Sequence, residues 1–229
     1  KIIIFAIIFA LATAELHPVN RAIVTEIKRN AKTWTPMEPE ENPFTYMPIE
    51  DIKAMMGTKM MVSEYTSKDY DFEPDNEFDA IKKWKNKIHQ VRDQGKCGSC
   101  WAFGATEALS DRLAIAGEDV ILSPQHLVSC DDQNFGCNGG YLDKAWYFMK
   151  EKGVVSDSCY PYNSGTSGET GECLEKCKDG SSFDDRYYSD MIHHPYSEKQ
   201  AMQAIQKNGP IEAAFTVYQD FMNYKEGVY

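Results

Sequence analysis

Positive charge is in short supply in this 229-residue chain: 24 Lys and Arg stand against 35 Asp and Glu, a formal net charge of −11. Nucleic acid requires clustered basic side chains to replace phosphate counterions, so that class of partner is excluded. Past Leu11 no apolar run approaches the roughly 20 residues that a bilayer-crossing helix needs, which excludes a membrane span after the opening segment. No Asn-x-Ser/Thr triplet occurs, so N-glycan-dependent sorting is closed to this stretch. The five histidines have no ligand spacing with the cysteines, and neither a metal nor another cofactor is expected. Cysteine is absent before Cys97, so the first third of the chain has no crosslink to hold it together.

The opening segment pairs Lys1 with an apolar stretch, Ile2 to Leu11, and the small-x-small site Ala12-Thr13-Ala14. That pattern predicts a signal peptide over residues 1–14 and a secretory route, ending in a lysosome or vacuole or outside the cell. An oxidising compartment favours paired cysteines, yet there are seven, at 97, 100, 130, 137, 159, 173 and 177. If Cys100 is free the other six make three bridges; alternatively, truncation leaves a cysteine whose partner lies beyond Tyr229. The overall composition, 42% hydrophobic and 26% charged, is that of a globular protein.

Residues 15–74 are rich in Met, Pro and acidic side chains. Val19, Ile23, Val24 and Ile27 recur at helical spacing and predict a helix within 18–31, and Ile49 to Met56 reads as a short amphipathic piece ended by Gly57. So small a segment lacks the residues for a core of its own, and it reads as a pro-segment before a crosslinked body at 75–229. In that body Cys100 to Ala116 predicts a helix closed by Gly117, Ser123-Pro124 a cap and first position running to Val128, and Tyr141 to Lys152 a third helix stopped by Gly153. Residues 160–172 have no apolar periodicity and read as a loop. Ser197-Glu198-Lys199-Gln200 is a capping box before Ala201 to Lys207, and Ile211 to Tyr218 and the end near Tyr229 have a strand-like pattern. Helices first and strands later suggest two unlike halves of an α+β fold.

The chemistry concentrates in Gln94-Gly95-Lys96-Cys97-Gly98-Ser99-Cys100-Trp101. A thiol is a weak nucleophile until ionised, and a helix N-terminus favours the thiolate. Cys100 stands at such a terminus, and Gln94 can direct a side-chain N–H at the oxygen of an acyl intermediate beside the Cys100 amide. A Cys97/Cys100 redox dithiol is the competing reading, but no βαβ pattern surrounds the pair.

These residues, with Arg92-Asp93-Gln94-Gly95, Gly136-Cys137-Asn138-Gly139-Gly140-Tyr141, Lys207-Asn208-Gly209-Pro210 and Tyr224 to Tyr229, resemble the papain family of cysteine peptidases in its cathepsin B-like branch. Lys28 to Trp34 and Met55-Met56-Gly57-Thr58 resemble the leader of that branch, and Phe78-Asp79-Ala80 with Trp84 the start of its mature enzyme. The resemblance implies a two-lobed α+β fold, with a helical lobe around the Cys100 helix and an incomplete β-barrel lobe, behind a small inhibitory leader. It implies that Cys100 is the nucleophile, Gln94 the oxyanion donor, and Gly139 and Gly140 the backbone against which an extended peptide lies. It also implies bridges Cys97–Cys137, Cys130–Cys173 and Cys159–Cys177. Its expected partners are peptide and protein substrates and the chain's own leader, with the protein acting as a monomer.

Departures from the family pattern carry expectations of their own. The family's early bridge has no cysteine near Lys85 to Ile88 and Ala114 at its second position, so both partners are gone together. The loop between Cys159 and Cys173 is short and without histidine, which implies endopeptidase action with weak or no removal of C-terminal dipeptides. The family's base His and its Asn follow the nucleophile by roughly 130–150 residues. The sequence as given stops at Tyr229, so it is expected to be inactive by itself and prone to aggregate from Ile211 onward. His193-His194 reads as an exposed strand pair rather than a base, and His17, His89 and His126 have no supporting motif. The other functions considered are a non-catalytic binding protein on the same scaffold and a leader-type inhibitor of related peptidases; the intact Cys100 and Gln94 favour the enzyme.

Overall fold

Side-chain caps open several of the helices in this chain. In the computed structural model, which describes residues 16–60 and 65–229, the Asn20 side chain accepts the backbone N–H groups of Ala22 and Ile23 and starts α1, Arg21–Asn30. The expected signal peptide lies outside the described residues. The chain forms two compact units, residues 16–49 with 217–229, and residues 50–216.

In the first unit α1 buries Val24 and Ile27, the inner pair of the apolar stripe read from the sequence. Strand β1, Trp34–Pro36, pairs antiparallel with β4, Tyr224–Gly227, in the register Trp34 to Gly227 and Thr35 to Glu226. Trp34 and Phe221 both meet the Tyr229 ring edge-on, at centroid distances of 5.2 and 4.9 Å. Asn223 is fully buried and donates from Nδ2 to the Pro18 carbonyl at 2.9 Å, while its own carbonyl accepts the Met37 N–H at 2.6 Å.

The second unit opens with α2, Ile49–Ala54, one residue of which falls before its boundary, followed by the short strand β2, Thr58–Lys59, and by α3, Ala80–Lys83. Its centre is α4, Cys100–Ala116, which buries Trp101, Ala102, Phe103, Ala105, Thr106, Ala108, Leu109 and Ala114. The sequence reading gave this helix one apolar side, but it is enclosed nearly all round, as central helices are. Its inward polar groups close on its own backbone: Thr106 Oγ1 donates to Ala102 O at 2.8 Å and Ser110 Oγ to Thr106 O. Gly117, at φ +108°, ends the helix, and the Glu118 N–H returns to Leu113 O.

Around α4 pack α5, Pro124–Cys130, with Ser123 Oγ accepting the His126 N–H, and α6, Leu142–Glu151, which follows directly on strand β3, Gly140–Tyr141. The hydrophobic core joins Trp101, Leu109, Leu122, Leu127, Ala145, Phe148, Met149 and Val154. His126 sits inside it among Phe148, Tyr160 and Phe183, and burial depresses its imidazole to about 4, so it is neutral. Bridges Cys97–Cys137, Cys130–Cys173 and Cys159–Cys177 cross this unit, and Cys100 is free. By loop-closure entropy the two longer bridges are each worth roughly 4 kcal/mol.

Four local readings change. The 160–172 loop contains a one-turn helix, α7, Ser164–Ser167. Residues 211–218 form no strand among the described residues; just before them Arg112 donates to Pro210 O at 2.6 Å and to Gly209 O at 3.2 Å. His193 and His194 likewise lie in irregular backbone rather than in a strand. The capping box before α8, Glu198–Asn208, is half formed: Ser197 Oγ accepts the Gln200 N–H, but the Gln200 side chain reaches back to the Tyr196 N–H.

Glu212 turns its carboxyl inward onto Gly104 of α4 and accepts the Trp146 indole N–H at 2.6 Å. Burial raises it to about 8; the indole bond lowers it and the nearby Asp143 charge raises it further. The folded chain therefore binds this proton more tightly than the unfolded chain does, a contribution complete below the ordinary carboxyl range and lost as pH rises towards about 8. Glu212→Gln keeps the acceptor and removes the titration. Urea midpoints between pH 5 and 8 are expected to fall less steeply in the variant, the difference approaching about 1.4 kcal/mol per pH unit at most. Parallel slopes for the two proteins would refute this assignment.

Candidate active site

The nucleophile loop is held from several sides. The bridge from Cys97 meets Cys137, and the Gly98 N–H donates to the Cys137 carbonyl at 3.0 Å. The Trp101 indole donates to Gly136 O at 3.1 Å from the first turn of α4. Together they lock the start of α4 to the turn that leads into β3. Ser99 precedes the helix without a side-chain cap; its hydroxyl bonds Tyr162 Oη at 2.8 Å instead. An uncapped first turn directs its free N–H groups and the positive end of the helix dipole towards whatever stands in front of it, which favours an anion there.

Cys100 is half-buried at this terminus. Gln94 lies on the same loop, in a turn fixed at Gly95, whose N–H bonds Asp93 Oδ1 at 2.8 Å. Tyr162 Oη donates to the Gln94 carbonyl at 2.7 Å, so one phenol ties the Gln94 backbone to Ser99 at the helix start. Burial raises the Tyr162 phenol, and it stays protonated and able to donate. Tyr162 was not singled out from the sequence; Tyr160-Pro161-Tyr162 before a loop carries no local sign that one ring folds back onto residue 94.

Residues 55–59 lie against these groups. Gln94 Nε2 donates to Cys97 O and to Met55 O, both at 2.8 Å, so its amide is occupied by backbone carbonyls. Thr58 Oγ1 lies 3.2 Å from Cys100 Sγ. The Gly140 N–H donates to Gly57 O at 2.8 Å, and β2 runs parallel to β3 with Thr58 opposite Gly140 and Lys59 opposite Tyr141. Backbones approach so closely that a Cβ on Gly57 would overlap the Gly98 carbonyl, and one on Gly139 the Gly57 carbonyl. Glycine is required at both positions for room, and at Gly139, with φ +100°, for conformation as well.

Cys100, Gln94, Gly139 and Gly140 are thus brought to one cleft, and the histidines are not. His89 lies between Asp111 Oδ1, 2.7 Å away, and Asp119 Oδ1, 3.1 Å away. His126 accepts the Val155 N–H inside the core, and His17 bonds backbone carbonyls of the first unit. His193 lines a separate cavity of about 490 Å³ with Tyr65, Asp143, Trp146 and Glu212, where its Nδ1 and Asp143 Oδ2 have no partner among the described residues. No described residue set has the geometry of a metal site.

A free thiol at an uncapped helix terminus, an amide on the same loop and a glycine edge crossed by an extended segment define a thiol-peptidase type of cleft. The chain belongs to the papain family of cysteine proteases, whose pattern matches residues 74–229. It is 42% identical over 160 residues to Cathepsin B-like CP3 of Giardia intestinalis, covering 68% of this chain and 53% of that protein. It is 40% identical over 168 residues to Cathepsin B of Dictyostelium discoideum, covering 66% of this chain and 54% of that one. The chain therefore spans just over half the length of these relatives. Among solved structures it resembles proCathepsin B S9 from Trypanosoma congolense, with a TM-score of 0.83, 26% identity, and 93% of this chain and 77% of that chain covered. It also resembles digestive procathepsin L2 from the Tenebrio molitor larval midgut, with a TM-score of 0.70 and 26% identity over 90% of this chain and 67% of that one.

Gly57 offers a test of the leader's grip. Gly57→Val places a branched side chain into the Gly98 carbonyl and is expected to dislodge residues 55–59 without touching α4. Alkylation of Cys100 by iodoacetamide, followed by mass spectrometry, should then run at least about tenfold faster than in the parent, matching the loss of one or two backbone and amide hydrogen bonds. An unchanged rate would show that the leader does not shield the thiol.

Proposed function

We propose that this chain carries the leader and the nucleophile-bearing part of a cathepsin B-like cysteine endopeptidase, made as an inactive precursor. Residues 15–74 are the inhibitory leader and residues 75–229 belong to the peptidase domain, with residues 1–14 directing the chain into the secretory pathway. The observation that carries this reading is the pairing of Gln94 Nε2 with the Met55 carbonyl while the Thr58 hydroxyl faces Cys100 Sγ.

Once the leader is gone, the Cys100 thiolate attacks the scissile carbonyl carbon of a peptide lying along Gly139 and Gly140. A C–S bond forms while the carbonyl electron pair moves to oxygen, where the Gln94 amide and the Cys100 backbone N–H receive it. Collapse breaks the C–N bond, the leaving amine takes a proton, and water hydrolyses the thioester in a second addition and collapse. Among the described residues none of the five histidines is bonded to Cys100, so the proton carrier is a group other than these in their present positions. The leader escapes cleavage because the group facing the sulfur is a hydroxyl, which a thiolate cannot acylate itself upon.

The contacts between the leader and α8 are weak. Lys199 pairs with Glu73 at 2.5 Å, and Gln200 Nε2 donates to Asp69 Oδ1 at 3.0 Å, both on the α8 surface. Exposed contacts of this kind are worth at most about 1 kcal/mol each and do not hold the segment by themselves. Proteolysis then completes removal. The three bridges favour an oxidising secretory or lysosomal setting, the substrates are peptides and proteins, and the enzyme acts as a monomer.

The test is made on the full-length protein. Incubation at about pH 4–5 should yield a leader-free form whose Cys100 alkylates rapidly and which cuts unfolded protein at internal bonds. The short Cys159–Cys173 loop, without histidine, predicts little release of C-terminal dipeptides. A processed protein with a Cys100→Ala change should cut nothing. Internal cleavage surviving that change would overturn the assignment of the nucleophile, and efficient dipeptide release the endopeptidase reading.

A further inference from the structure

Strand β3 is only two residues long, yet it is the edge on which a peptide must register. Its outer side meets Gly57, through the Gly140 N–H. Its inner side is satisfied by a side chain: Asn134 Oδ1 accepts the Tyr141 N–H at 2.7 Å, and Asn134 Nδ2 donates to the Tyr141 carbonyl at 3.3 Å. One carboxamide thereby takes both backbone groups of Tyr141, as a neighbouring strand would. Asn134 also packs where a Cβ on Gly140 would have to go.

A carboxamide can flip, and a flipped Asn134 would set an NH₂ against the Tyr141 N–H. The orientation is fixed by Asp131, which accepts from Asn134 Nδ2 on Oδ2 at 2.7 Å and from the Gln133 N–H on Oδ1 at 3.1 Å. Both carboxylate oxygens are used as acceptors, and the ionised form serves both donors best, because protonation turns one oxygen into a donor and a weaker acceptor. Asp131 and Asn134 are 4% and 8% exposed, too enclosed for water to replace either bond cheaply. Asp131 is the C-cap of α5, next to the bridged Cys130, so the lock is anchored to the core.

The geometry points to Asp131 and Asn134 as a positioning couple that sets peptide affinity: Asp131 holds the Asn134 carboxamide in one orientation, and Asn134 holds Gly140–Tyr141 in register for substrate. This rests on the peptide-cleavage reading above. The charged groups that bear on Asp131 are Asp132 in its own loop and Lys144 on α6. Burial, helped by Asp132, raises the Asp131 carboxyl to about 6, against the pull of the Gln133 and Asn134 bonds and Lys144. The couple is therefore engaged above about pH 6 and slackens below it.

Asp131→Asn supplies one acceptor and one donor where two acceptors are needed, and it mimics the neutral form at every pH. In the processed full-length enzyme it is expected to raise KM for an extended peptide about tenfold at pH 7 with kcat little changed. KM of the parent should rise several-fold from pH 7 to 5 and converge on the variant, whose own KM stays flat. Hydrogen exchange in the full chain gives a readout independent of turnover: peptides covering residues 139–142 should exchange faster in Asp131→Asn and in Asn134→Ala, with α4 unchanged. Faster exchange with a KM equal to that of the parent would reduce the couple to a structural brace and overturn the proposal, as would exchange equal to the parent's. If the parent itself cleaves no peptide, the peptidase reading fails on its own, and the exchange comparison still decides whether the lock exists.

Discussion

The joint between Cys97 and Cys137 governs the rest of this structure. It fastens the loop bearing Gln94 and Cys100 to the turn that presents Gly139 and Gly140, and the Gly98-to-Cys137 backbone bond keeps the two from rotating about the sulfur link. Catalytic geometry tolerates errors of about an ångström poorly. A cleft whose two banks come from segments about 40 residues apart needs a rigid connection between them, and here it is covalent, with the Trp101 indole beside it as a second tie.

On the precursor reading proposed above, the same joint lets the leader inhibit with few contacts. Residues 55–59 contribute one carbonyl to Gln94, one to Gly140 and one hydroxyl to Cys100. Single hydrogen bonds add only about 1 kcal/mol each. Aimed at a prearranged site they suffice, because the segment is tethered to the same chain and its effective concentration is high. Loss of the tether after cleavage removes that advantage at once.

What the sequence made legible was local. Cys100, Gln94 and the glycines declare themselves because thiol, amide and missing side chains serve the chemistry directly, and helix ends at Gly117 and Ser123 are dictated within a turn of the chain. Residues 211–218 have a strand-like pattern, but pairing depends on a distant neighbour strand, and none pairs with them among the described residues. Tyr162 and Asn134 were invisible for the same reason: each acts by folding back across 68 and 7 residues respectively onto backbone, and neither distance nor direction is written in the residue type. Gly57 was legible as a helix stop, whereas its place against Gly98 and Gly139 emerges only in three dimensions.

The three-glycine crossing makes this spot intolerant of substitution. Backbones of residues 57, 98 and 139 converge so closely that a side chain at 57 or 139 would have to push a neighbouring carbonyl aside, so the junction admits bare main chain alone.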